Sequence, residues 1–356
     1  MHVIILSILF QLTMCDYDRR IITTLKYSKH AVKPTIVNGA PAYEGDVPYL
    51  VSLKEATQKI HEHKFVWKNL CGGSIIGLLK VITAAHCFEA NNFYYAHHPH
   101  KLRLVAGDLR SVLVHSGETE TSATTQIRNL DEVIIHRNFN FPANDIALVI
   151  VDAKWNYTVH VDYIVLPRKT TDYTSLCITA GFGRMGHGLR ADITPVLLIA
   201  PIDPMTRWRC SILWEMNMNS FICTHSALTD VARGDSGGPL ACQRTNDPEE
   251  VPGKKLLAGV VSGKNFDKTT LYTRVSEYRD WIDRNIANNN RQMDIALETF
   301  IMTHAKYSLS KITNIRSLGL ILGLSKVLLG FSIRKFSVAA RSLEMCPKKR
   351  QYARPL

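Results

Sequence analysis

The sequence predicts an all-β fold, and three observations on the 356-residue chain carry that prediction. Short runs rich in Val, Ile, Thr and Leu recur through the middle of the chain. Gly, Pro, Asn and Asp interrupt them at short intervals. Only one stretch has clear helical spacing. Many short strands with frequent turn residues indicate a β-sandwich or barrel.

In order, the runs are YLVSL (49–53), GGSII (72–76), KVITAA (80–85), KLRLVAG (101–107) and DEVIIH (131–136). There follow DIALVIV (145–151), LCITAGFG (176–183), PVLLI (195–199), KLLAGVVSG (255–263) and TLYTRV (270–275). β-branched and apolar side chains suit a pleated, half-buried surface. The helix is SEYRDWIDRNI (276–286). Ser276 is its expected N-cap, and Tyr278, Trp281, Ile282 and Ile286 share one helical face.

The flanks differ from this middle. MHVIILSILFQLTMC has an apolar run from Val3 to Phe10, with small Thr13 and Cys15 at −3 and −1 of a cleavage site. Residues 1–15 therefore read as a secretory signal, too short for a membrane span. The polar stretch 16–35 reads as a propeptide. Beyond the domain at 36–286, residues 287–356 form a basic extension. Its apolar segment LGLILGLSKVLLGFSI (318–333) is interrupted by Lys326. A basic amphipathic helix on a membrane surface is one reading of it. The preferred reading is a poorly ordered extension with no part in the chemistry.

Charge follows the same division. The net charge is +12. Residues 1–35 hold five Lys/Arg against two Asp/Glu, and residues 287–356 hold twelve against three. Residues 36–286 hold 26 of each, so nothing in the domain supports nucleic-acid binding.

Six of the eight cysteines, Cys71, Cys87, Cys177, Cys210, Cys223 and Cys242, lie in the neutral middle. In a secreted domain an even set implies a disulfide framework. Cys346 in the tail would be a free thiol. No C-x-x-C pair exists to favour zinc. HEH (61–63) and HHPH (97–100) read as solvated loop histidines, not a metal site. Nothing suggests a metal, a nucleotide loop or an organic cofactor. NYT (156–158) is a glycosylation sequon at Asn156.

Three separated motifs carry chemistry: TAAHC with His86, NDIAL with Asp145 and GDSGGP with Ser236. A serine hydroxyl is a weak nucleophile near neutral pH. It needs a base, and the base needs a partner to fix its tautomer and stabilise its charge. Taken singly these residues mean little. Together, in this order and with these neighbours, they resemble the trypsin/chymotrypsin family of secreted serine endopeptidases over about residues 36–286.

The resemblance implies two six-stranded antiparallel β-barrels with a C-terminal helix and a cleft between the barrels. It implies protein or peptide substrates, and protein inhibitors as further partners. His86 would be general base and acid, Asp145 its orienter, and Ser236 the nucleophile. The N–H groups of Gly234 and Ser236 would form the oxyanion hole. IVNG (36–39) matches the mature N-terminus, so the amine of Ile36 would pair with Asp235. Ser262 matches the serine beside the triad aspartate. Cys71–Cys87, Cys177–Cys242 and Cys210–Cys223 match family bridges. Arg233-Gly234-Asp235 spells an integrin motif only by accident of the serine loop.

Departures from the family concern specificity and activation. Ala232 stands where a cysteine is usual, and its partner loop, SGKNFDKTTLYTRV, has no cysteine and is short. The paired loss reads as a compensated variant. Gly263 replaces the usual tryptophan, and Thr270 takes a position usually held by a pocket glycine. Asp230, six residues before Ser236, would sit at the pocket floor and select Arg or Lys. Thr35 precedes Ile36, and Lys33 is followed by Pro34, so a tryptic activator would not make the expected cut. A catalytically silent homologue using the barrels as a binding module is the alternative.

Overall fold

The structure is a computed structural model that describes residues 39–122, 124–173, 177–183, 193–225, 231, 234–264, 269–291 and 299. The expected signal, propeptide and apolar tail segment lie outside these residues, as do Ile36, Asp230, Ala232 and Arg233. The chain divides into two units, residues 1–284 and 285–356. The second unit's described residues are all helical.

The first unit holds two antiparallel sheets. After β1 (Ala40–Pro41) come β2 (Leu50–His61), β3 (Lys64–Gly77), β4 (Lys80–Thr83), β5 (Leu102–Ala106), β6 (Val112–His115), β7 (Glu120–Thr121), β8 (Gln126–Ile135) and β9 (Ala147–Val151). Pairing runs β2-β5-β8-β9-β4-β3 and returns to β2, closing six strands into a barrel. Closure leaves no open sheet edge. The short strands β6 and β7 pair outside this ring with β3 and β8.

The second sheet comprises β10 (Cys177–Gly181), β11 (Leu198–Ile202), β12 (Phe221–Thr224), β13 (Pro239–Cys242), β14 (Leu256–Lys264) and β15 (Thr270–Arg274). Its order is β11-β10-β13-β14-β15-β12, with β1 beside β11. A bridge from Pro204 to Thr224 joins the two ends. Counted within each ring, the strand order is 1-2-3-6-5-4 in both. The same connectivity is therefore used twice.

Burial explains the apolar runs. Val51, Leu53, Ile75, Ile82 and Leu148 are fully enclosed in the first barrel. Leu240, Leu256, Ala258, Ile222 and Tyr272 cluster in the second. Both faces of Leu50–Lys54 are buried, so that stretch reads as a continuous run rather than an alternating one.

Several expectations shift. β2 and β3 extend far beyond YLVSL and GGSII as a long hairpin. The outer part of β2 is largely exposed and carries no hydrophobic pattern, whereas the facing part of β3 sends Trp67 into a cluster with Val105, Leu113 and Ile127. β11 starts at Leu198, because Val196 is taken up in a bridge to Arg110. Ser276 is not an N-cap. The helix begins with a tighter turn, Val275–Tyr278, preceded by extended Arg274. His97 ends a helical segment and His100 lies in a tight turn, so HHPH is not a plain loop. The helix Arg207–Trp214, capped by the Thr206 hydroxyl, carries no strong sequence signal and is tethered by its disulfide.

Candidate active site

His86 sits on the tight turn Ala85–Phe88 that follows β4. The Cys71–Cys87 disulfide ties that turn to β3. Asp145 lies just before β9 and is wholly buried. The backbone there is fixed by left-handed Asn144 and by a bond from the Thr273 hydroxyl to the Asp145 carbonyl, at 2.8 Å. A buried carboxylate needs donors, and Asp145 has three. Its Oδ1 accepts the His86 backbone N–H at 2.9 Å. Its Oδ2 accepts His86 Nδ1–H at 2.7 Å and the Ser262 hydroxyl at 2.5 Å.

This geometry sets the imidazole. Burial works against its charged form. The Asp145 charge and hydrogen bond outweigh burial, with help from Glu89, and hold the His86 pKa above the ordinary histidine value. Nδ1 is occupied, while Nε2 is buried and has no hydrogen-bond partner. The Phe141 ring stands edge-on to the imidazole, with centroids 5.5 Å apart.

The serine loop is pressed against the same corner. The Ser236 carbonyl accepts the Gly72 N–H of β3 at 2.7 Å. Gly237 has φ +77°, and a side chain there would lie 2.2 Å from the Thr83 hydroxyl and 3.1 Å from the Ala84 nitrogen. Only glycine lets the loop come this close to the turn bearing His86. Asp235 is buried, and its Oδ1 accepts the Gly183 N–H at 2.7 Å. Gly234 has φ +107°, and its carbonyl accepts Asn69 Nδ2 at 2.9 Å.

The structure thus brings together His86, Asp145, Ser262 and the loop of Gly234, Asp235 and Ser236. The Ile36–Asp235 pairing and the pocket role of Asp230 fall outside the described residues. Thr270 is buried in β15, between Thr224 and Lys264. Gly263 lies opposite Leu271, next to a bulge in β14. The disulfides are Cys71–Cys87, Cys177–Cys242 and Cys210–Cys223, the pairs the resemblance implies. Asn156 is exposed in a loop.

Sequence reading missed Asn69, Thr83, Phe141 and Thr273, because each acts on a partner distant in sequence. Among the described residues, the only gathered metal-type group is Cys71, His86 and Cys87. Its two sulfurs are joined to each other, so they offer no thiolate ligands. No described helix is long and apolar enough to cross a membrane.

The Trypsin family model matches residues 36–282. The chain therefore belongs to the trypsin family and is a trypsin-like serine protease by descent, from a family that acts on proteins or peptides.

Proposed function

We propose that this chain is an active, secreted serine endopeptidase. One observation carries the reading: a buried carboxylate, Asp145, holds His86 by Nδ1 and leaves Nε2 unengaged, on the turn whose leading residues the serine loop packs against.

Each step follows from these groups. His86 Nε2 takes the proton of the Ser236 hydroxyl as its oxygen attacks the scissile carbonyl. Asp145 keeps the remaining proton on Nδ1 and stabilises the imidazolium. The N–H groups of Gly234 and Ser236 receive the developing oxyanion, at about 3 kcal/mol per donor. His86 then protonates the leaving amine, and an acyl-enzyme remains on Ser236. Water, activated by His86, hydrolyses it.

Asp230 gives the expected preference for Arg or Lys, since a carboxylate facing a guanidinium makes a strong charge-assisted pair. Activation frees Ile36 to pair with Asp235, through a cut by a protease that is not trypsin-like. Protein inhibitors are expected partners.

The test uses residues 36–356 with Ile36 as a free N-terminus. A fluorophosphonate should label Ser236, and Ser236→Ala should abolish labelling. A P1 peptide library should show cleavage after Arg or Lys. Cleavage after large apolar residues would keep the mechanism and remove Asp230 from the pocket floor. A folded, processed protein that takes no label would instead be a silent homologue. Ala232 in place of a bridging cysteine, Gly263 in place of the usual tryptophan and Thr35 before Ile36 are the observations favouring that second reading.

A further inference from the structure

The loop that carries Ser236 belongs to the second barrel, yet two of its carbonyls are held by β3 of the first. The Gly72 N–H takes the Ser236 carbonyl at 2.7 Å. Three residues earlier on β3, the Asn69 carboxamide takes the Gly234 carbonyl at 2.9 Å. The first grip is backbone and would survive any side-chain change. The second depends on one side chain.

That side chain is itself oriented. The Ser52 hydroxyl, buried on β2, donates to Asn69 Oδ1 at 2.6 Å. The carboxamide oxygen is thus committed to Ser52, which leaves the NH₂ group for Gly234. A relay runs from Ser52 through Asn69 to Gly234, spanning 165 residues of sequence at its second link.

Gly234 needs this restraint. At φ +107° it occupies backbone space open to glycine, where rotation about its own bonds costs little. Holding its carbonyl fixes the plane of the Gly234–Asp235 peptide, the unit that links the peptides bearing the Gly234 and Ser236 N–H groups. From the other side, Gly183 holds the Asp235 carboxylate.

We infer that Asn69 is a positioning residue that sets the oxyanion-binding N–H groups of Gly234 and Ser236, with Ser52 orienting its carboxamide. The inference rests on the peptidase reading above.

Asn69→Asp keeps the shape but replaces the donor with an oxygen facing the Gly234 carbonyl. Losing one oxyanion donor outright costs about 100–1,000-fold in kcat. A misaimed donor should cost less. Asn69→Asp and Asn69→Ala are expected to lower kcat about 10–50-fold with KM within about twofold. Ser52→Ala should lower kcat about 3–10-fold, since the carboxamide remains but loses its orienting bond.

Inhibitor binding separates positioning from general damage. A peptide aldehyde adds to Ser236 and places an oxyanion, whereas the corresponding peptide alcohol does not. In each variant, aldehyde affinity should fall by the same factor as kcat, with alcohol affinity unchanged. If Asn69→Asp, or Ser52→Ala should Asn69→Asp not fold, keeps wild-type kcat and aldehyde affinity, the positioning role is overturned alone. A folded, processed wild type that takes no fluorophosphonate overturns the peptidase reading and this inference together.

Discussion

At the residue scale, two opposing terms act on His86. Burial depresses an imidazolium, and the Asp145 contact raises it; the contact wins, so the pKa lies above the ordinary value. A base must be neutral to take the Ser236 proton, so kcat/KM should rise with pH through that raised pKa. Asp145→Asn removes the charge and leaves the burial. The acid limb of kcat/KM should then move to lower pH while kcat falls by about 10⁴-fold, as a wrong imidazole tautomer dictates. A pH–rate profile of both proteins checks this, and an unmoved acid limb would detach Asp145 from the base. These residues were legible in the sequence because their short motifs are distinctive. Ser52 and Asn69 were not, for a polar residue in a strand is ordinary until its partner is known.

Elements hold these residues by unequal tethers. Cys177–Cys242 joins β10 to β13 across 65 residues, whereas Cys210–Cys223 ties the helix Arg207–Trp214 to β12 across 13. If a disulfide acts mainly on the unfolded chain, the longer loop contributes more: about 4 against about 3 kcal/mol. Paired serine substitutions should therefore lower the urea midpoint more for Cys177–Cys242. Urea unfolding of both double variants in the Ser236→Ala background, which prevents self-digestion, measures it. Equal losses would mean that folded-state effects dominate. The hairpin of β2 and β3 shows why element boundaries escape sequence reading. The outer half of β2 buries little, so its pairing with β3, with register shifts and bulges, sets its length, not hydrophobic pattern.

Across the whole molecule, the barrels meet at a buried cation. Lys54 of β2 is fully enclosed and donates to the carbonyls of Arg110, at 3.1 Å, and Ser111, at 2.8 Å. Its ammonium lies 5.1 Å from the centre of the Phe182 ring, next to the second barrel's β10. The stretch 109–111 bonds in turn to Leu197 and Pro195. Burial pushes the Lys54 pKa down to about 7; Asp108 opposes this and Arg110 adds to it. Between pH 7 and about 10 the unfolded chain therefore holds more protons than the folded one at this site. Stability should rise with pH across that window and level off near the ordinary lysine value. Lys54→Met should lose this gain, though two carbonyls then lack their donor. Urea midpoints at pH 6 and pH 9, again with Ser236→Ala, give the comparison. An equal pH response in both proteins would place the titration elsewhere.

The sequence by itself determined the strand-rich class, the neutral domain between basic flanks, the even cysteine set and the three motifs of a serine protease. All of these are written over a few neighbouring residues or in composition. Only the tertiary structure decided that the Thr273 hydroxyl holds the Asp145 carbonyl, that β3 grips the serine loop, and that Lys54 is buried between the barrels. Those contacts join residues up to 165 positions apart. They depend on strand register and on closure of two rings, which no local stretch of chain encodes.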